Sequence, residues 1–278
     1  MPGEVFAAPA AGPAGAAGVV RVVLRHPGRL NAMSRAMWRE LRTVFGAIQQ
    51  RTDVRCVIVE GEGDAFCAGG DISEYPEFRF HASSLRDFHE NDVWGGLAAM
   101  LACDVPLVAR IAGACMGAGV EIASCCDVRI AADNARFGAP IARLGFPMAP
   151  REAELVANAV GVMTARQMLL AAETFGAAAM AQRGFLSRVV AVGELEREAV
   201  DTACRIAALA PGAARLNKQT LRALQERKSQ ETPVNHAQAA IEKIANYIPA
   251  LADPYAYADS AEHREGIEAF LAKRPPVF

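Results

Sequence analysis

The residues able to do chemistry gather in two stretches of small side chains. One runs Ile111-Ala-Gly-Ala-Cys-Met-Gly-Ala-Gly-Val-Glu-Ile-Ala-Ser-Cys-Cys-Asp127. Small residues at 113, 114, 117, 118 and 119 let the backbone come close to a ligand. A single carboxylate, Glu121, then stands in apolar company. A helix beginning near Gly117 aims free N–H groups and the positive end of its dipole at whatever lies before it. The apolar setting raises the pKa of Glu121. Backbone donors beside such a carboxyl suit the making and quenching of an oxyanion. The other stretch centres on Ala68, Gly69, Gly70 and Asp71. Brought together, the two loops offer two N–H donors to one oxygen, an oxyanion hole. Taken alone, the glycines also read as tight turns or close helix packing, and Glu121 as a paired structural carboxylate.

The elements that must hold these loops alternate between β and α. Val19–Leu24 is rich in β-branched residues and reads as a strand, broken by His26, Pro27 and Gly28. Ser34 caps a helix running to about Gln50, with apolar positions 37, 38, 41, 44, 45 and 48 on the helical period. Val54–Val59 reads as a buried strand emptying into the loop 61–71, and residues 72–83 as a mobile flap. A helix over 84–102 follows, then strands at 107–111 and 128–132 and a strand-and-turn at 137–146. Pro150 opens a helix to Val160, and Thr164 caps another through Ala172. Ala177–Arg183 is a short helix and Leu186–Val190 a last strand. Beyond 193 the pattern is helical only: 194–209, 213–228, 234–247 and 259–272. This is an α/β pattern of parallel strands joined by right-handed crossovers. The division is a disordered Ala/Gly/Pro-rich lead-in at 1–18, a core at 19–193 and a helical region at 194–278 that packs on the core or on another subunit.

With 278 residues, 52% of them hydrophobic, a sizeable core is available. A net charge of −2 gives no bulk attraction to nucleic acid or to anionic membrane. Seven cysteines with no C-x-x-C read as reduced thiols of a cytoplasmic protein. The five histidines lack metal-ligand spacing, so no metal is expected. No uncharged run approaches the ~20 residues of a membrane span, and the start lacks the basic segment and apolar core of a signal peptide.

Phe66-Cys-Ala-Gly-Gly-Asp-Ile72 followed by the 111–127 stretch resembles the enoyl-CoA hydratase/isomerase (crotonase) superfamily. Arg29-Leu-Asn-Ala-Met33, Arg136-Phe-Gly-Ala-Pro140 and the ending from Arg264 to Phe278 resemble it too, so the likeness covers essentially everything after Gly18. The resemblance implies a spiral of repeated ββα units and a C-terminal helical region that mediates trimer formation. It implies homotrimers or dimers of trimers that bind acyl-CoA thioesters and stabilise the thioester enolate. Coenzyme A enters as part of the substrate, with no separate cofactor. By position, the N–H groups of Ala68 and Ala118 form the oxyanion hole, and Ala68, Gly69, Gly70 and Asp71 line the CoA and acyl path beside Gly117. Arg29 and Lys273 are candidates for CoA phosphate or ribose contacts, with a solvated-surface role as their alternative. Glu121 matches the glutamate that holds and activates water in hydratases.

One departure bears on the reaction. Where the resemblance places a second glutamate, after the proline of the Phe137–Pro140 segment, this chain has Ile141. Isoleucine moves no proton, and a positioned acid or base contributes ~10²–10⁴-fold. Hydration is then expected to be impaired. One-carboxylate isomerisation, decarboxylation or thioester hydrolysis stays open, as does a catalytically weak CoA-binding scaffold. Arg143, Arg151, Glu152 and Glu154 lie close in sequence and either reach the pocket or carry surface charge. Tyr75, His81, His89 and Trp94 fall in the segment expected to wall the acyl chain.

Overall fold

The computed structural model describes residues 2–10, 17–230 and 261–278. It divides into two compact units, residues 1–207 and residues 208–278.

The first unit is built on a mostly parallel sheet. Its strands are β1 (Glu4–Pro9), β2 (Val19–Arg25), β3 (Cys56–Gly61), β4 (Leu107–Ile111), β6 (Val128–Ala132) and β9 (Arg188–Val190), in the order β1-β2-β3-β4-β6-β9. From β2 onward every neighbour is parallel, and only β1 runs antiparallel, at the edge. A smaller sheet joins β5 (Ala114–Met116), β7 (Arg136–Gly138) and β8 (Thr174–Gly176).

The period-two alternation of β3 explains why it is buried throughout. Val57 and Val59 face a core shared with Met37, Trp38, Leu41 and Phe45 of α1 (Arg35–Gln49). Cys56 and Ile58 face the opposite core, closed by Leu195, Val200, Ala203 and Ala207 of a helix spanning Leu195–Ala207. That helix therefore belongs to the first unit. The boundary expected at 193/194 lies at 207/208, because the second face of the sheet needs an apolar cover.

The lead-in is corrected over Glu4–Pro9, which forms β1 rather than a disordered tail. The ladder from Glu4↔Arg25 to Pro9↔Val20 supplies its backbone bonds, and Val5 also donates to Glu40 Oε2 at 2.7 Å. Val5 adds to the core, and a terminal edge position tolerates Pro9.

The helix expected over 84–102 is interrupted. α2 (Ala82–Asp87) passes into a π-helical turn at Phe88–Val93 before α3 (Trp94–Ala102). Residues 72–77, read as part of a flap, form a 3₁₀ turn capped by Asp71. Further on come α4 (Ala118–Ser124), α5 (Pro150–Val160), α6 (Val162–Leu170), α7 (Ala177–Gln182) and α8, the sheet-covering Leu195–Ala207 helix. Gly161, not Thr164, caps α6. The second unit holds α9 (Pro211–Gln230) and α10 (Ala261–Leu271). The helix expected at 234–247 lies outside the described residues. Among the described residues, no helix is long and apolar enough to cross a membrane.

Candidate active site

The two small-residue loops meet because Cys67 bridges Cys115 in parallel. Cys67 N donates to Ala114 O at 2.8 Å, and Met116 N donates to Cys67 O at 2.9 Å. Just beyond, the chain turns at Gly117, whose φ of 47° is one an L side chain rarely adopts. Gly119 then packs on the Cys67 carbonyl so closely that a Cβ would sit 2.6 Å from that oxygen. α4 is thus pressed against the first loop, with Glu121 in its first turn.

A cavity of about 250 Å³ opens here. Ala68, Gly69, Gly70, Gly117 and Ala118 form its backbone wall. Trp38, Tyr75, Phe88, His89, Ile141, Phe146 and Met148 form its apolar and aromatic wall, and Glu121 and Glu152 are its two carboxylates. Of the residues expected at the site, the structure brings together Glu121, Ala68, Gly69, Gly70, Gly117, Ala118 and Ile141. It does not bring Asp71 or Arg29 to the cavity. The Asp71 carboxylate caps the 3₁₀ turn through Ser73 N (3.1 Å) and Ser73 Oγ (2.7 Å), and Arg29 reaches it at 3.4 Å. These contacts hold Asp71 as a cap of the 3₁₀ turn, with Arg29 beside it. Lys273 is exposed in the second unit.

The expected Ala68 donor already has an acceptor within the chain. Its N–H is committed to the Leu30 carbonyl at 3.0 Å, from a residue held at φ 47°. The N–H groups of Gly69, Gly70 and Ala118 have no acceptor among the described residues.

Of the four charged residues left open, only Glu152 enters the cavity. Arg151 pairs with Glu90 at 3.0 Å and lies over the Trp94 ring, Arg143 donates to the Ala172 carbonyl, and Glu154 is exposed. Glu152 is 2% exposed and sits in the first turn of α5, where helical N–H groups favour acidic side chains. The ring Nδ1 of His89 lies 3.1 Å from its Oε1. The π-helical turn carries His89 to this contact, and Asp92 of the same turn anchors it to α1 through Arg35 (2.6 Å) and Arg39 (2.7 Å). The cavity therefore has two protein carboxylates. Residue type and proximity to Pro150 flagged Glu152 in the sequence, but only the packing of α5 against α4 selects it from its neighbours.

Glu121 is buried, and its carboxylate has no hydrogen-bond partner among the described residues. Its pKa is pushed up to about 8, first by burial and then by the charge of Glu152. It is protonated at neutral pH. The neighbouring Cys67 thiol is pushed up to about 12 by burial, which removes it as a nucleophile. Among the described residues, no cluster of His, Cys, Asp and Glu could hold a metal ion.

The sequence model of the family described as Enoyl-CoA hydratase/isomerase matches residues 14–278. A protein of Mycobacterium bovis named a probable enoyl-CoA hydratase is 31% identical over 262 residues, 92% of this chain and 93% of its own length. The 2,3-dehydroadipyl-CoA hydratase of Escherichia coli is 30% identical over 260 residues, 94% of each chain. The crystal structure of an enoyl-CoA hydratase/carnithine racemase from Magnetospirillum magneticum superposes with a TM-score of 0.82 at 33% identity, over 94% of this chain and 92% of that one. Fold, loop pair and relatives agree: the chain is an acyl-CoA-processing protein that belongs to the enoyl-CoA hydratase/isomerase (crotonase) superfamily.

Proposed function

We propose that the protein is a two-carboxylate hydratase of acyl-CoA thioesters, in which Glu152 takes the part that Ile141 cannot. The observation that carries this reading is the pair Glu121 and Glu152 lining one cavity with the Gly117 turn and the Ala68–Gly70 turn. The thioester oxygen is held by the Ala118 N–H and by a second N–H from the Ala68–Gly70 turn, where Ala68 exchanges or shares its bond to Leu30. Water adds across the double bond next to the thioester. Glu152, oriented by His89, takes a proton from the water as its oxygen bonds to the β-carbon. The double-bond electrons move toward the thioester oxygen, and Glu121, protonated at rest, delivers its proton to the α-carbon. Proton exchange between the two carboxyls or with solvent resets the pair. Pushing the pKa values of two carboxyls apart separates acid from base.

The test is hydration of crotonyl-CoA and isomerisation of a 3-enoyl-CoA by wild type, Glu121→Gln and Glu152→Gln. Loss of ~10²–10⁴-fold in hydration in both variants is expected. A Glu152→Gln variant that keeps wild-type turnover would return the protein to single-base chemistry.

We extend the proposal to assembly as a homotrimer or dimer of trimers. Val162, Met163 and Leu170 on α6 are exposed apolar side chains of the kind that subunit contacts cover. Light scattering of the purified chain reports the state directly, and a monomer would refute it.

A further inference from the structure

We propose that Arg79 receives a carboxylate on the acyl group, so that the preferred substrates are acyl-CoA thioesters with a second, negatively charged end. This rests on the acyl-CoA reading and names the substrate class of that same site.

Arg79 is part of the cavity wall. Its guanidinium carbon lies 3.6 Å from the ring centroid of Phe146 and 4.4 Å from that of Tyr75. Aromatic rings against the guanidinium fix its plane and strip water from its faces, leaving its edge for in-plane acceptors. That edge is unanswered. The Nε of Arg79 is buried without any hydrogen-bond partner, and no carboxylate among the described residues pairs with it.

The other arginines around the cavity differ. Arg151 has Glu90, Arg143 has the Ala172 carbonyl, and Arg35 and Arg39 share Asp92. Arg79 alone of these turns a cation to the cavity with nothing opposite. A purely apolar acyl chain filling this space would leave the cation desolvated and unpaired, which is costly. A carboxylate would take the two Nη groups side by side, since the Nε is sealed from the cavity. Tyr75, on whose ring Arg79 lies, sets its hydroxyl against Gly70, where a Cβ would come within 2.2 Å of it. The cation is thus approached from the loop proposed to face the thioester carbonyl, with the Phe146 ring closing the other side.

The test measures binding, not turnover, by calorimetry. The ligands are free CoA and two matched pairs, pentanoyl-CoA with glutaryl-CoA and hexanoyl-CoA with adipyl-CoA. Within each pair the acyl groups differ only in the terminal carboxylate. The wild type should bind one carboxylated member about 10- to 100-fold more tightly than its neutral partner, the range of a hydrogen bond between charged groups. Arg79→Met should abolish that preference while affinity for free CoA stays within about twofold and the neutral thioesters bind as tightly or more tightly. Arg79→Lys, which keeps the charge and loses the fork, should retain part of it.

The proposal is overturned if the wild type shows no preference. It is also overturned if Arg79→Met weakens free CoA as much as glutaryl-CoA, because the cation would then serve the CoA phosphates. Binding of neutral thioesters without preference sinks only this proposal, whereas failure of CoA and every thioester to bind sinks the acyl-CoA reading with it.

Discussion

Glu60 and Glu121 are buried almost equally, at 7% and 9% exposure, yet their surroundings are opposite. Glu60, on β3, receives Arg21 at 2.8 Å and Arg110 at 3.4 Å, and Glu196 shares both arginines from α8. Every charge there is answered within the protein. Glu121 has no cation beside it among the described residues, and the neighbour that affects it most is a second carboxylate. A buried, unanswered acid costs stability, and a chain that keeps one keeps it for what it does. Glu60 holds the sheet to α8, while Glu121 faces the cavity.

The largest expected effect breaks this comparison on its functional side. Glu121→Gln keeps the shape of the side chain and removes its proton transfer, so kcat/KM for the hydrated substrate should fall ~10²–10⁴-fold with the fold intact. The same variant should gain stability at alkaline pH. The Glu121 carboxyl titrates near 8 when folded, against an ordinary value near 4.5. Below the lower value both states are protonated. Between the two, the unfolded chain has lost a proton that the folded chain keeps, so stability falls as pH rises, and it levels off above about 8. The whole fall amounts to about 4 kcal/mol, taking a conservative part of the shift. Denaturant unfolding at pH 5 and pH 8 should show this slope in the wild type and a flatter one in Glu121→Gln. An equal slope in both would mean that Glu121 is ionised at rest.

The same contrast explains what the sequence disclosed. The backbone wall was legible because its constraint is steric. Gly117 and Gly119 are required by a positive φ and a 2.6 Å approach, and such requirements leave small residues at fixed spacing. β2, β3, β4 and β6 were legible from their β-branched runs. The other wall was not legible. The periodicity of 84–102 predicts one continuous helix, and nothing in it marks the extra residue that makes the turn at Phe88–Val93 and swings His89 to Glu152. Ile141 marks in the sequence a place with no carboxylate, whereas the second carboxylate of the cavity, Glu152, depends on how α5 packs. β1 was hidden for a related reason, since an edge strand takes its order from its partner's backbone.

Glu60→Gln breaks the comparison on its structural side. It leaves Arg21 and Arg110 with less negative charge in a half-buried cluster, and a loss of about 2–3 kcal/mol in unfolding free energy is expected. Glu196 retains part of the pairing, which keeps the figure below that of a fully isolated pair. Kinetic constants measured well below the melting temperature should stay within about twofold of wild type, since nothing in this cluster touches the cavity. A selective loss of kcat in a stable Glu60→Gln protein would show that the two regions are coupled.

The smallest effect sharpens the comparison, because it concerns a carboxylate that is paired like Glu60 but acts on the site. Asp92 is 3% exposed, and Arg35 and Arg39 hold it against α1. It lies three residues after His89 on the same π-helical turn, so weakening its ion pairs loosens the element that presents His89 to Glu152. Asp92→Asn should lower kcat by about 10-fold with little change in KM, since misplacing a base costs rate more than binding. The decisive readout is non-additivity. In a Glu152→Gln background there is no carboxylate for His89 to orient, so Asp92→Asn should cost nothing further. If it costs the same 10-fold there, Asp92 serves the fold as Glu60 does, and the positioning role assigned to its turn is wrong.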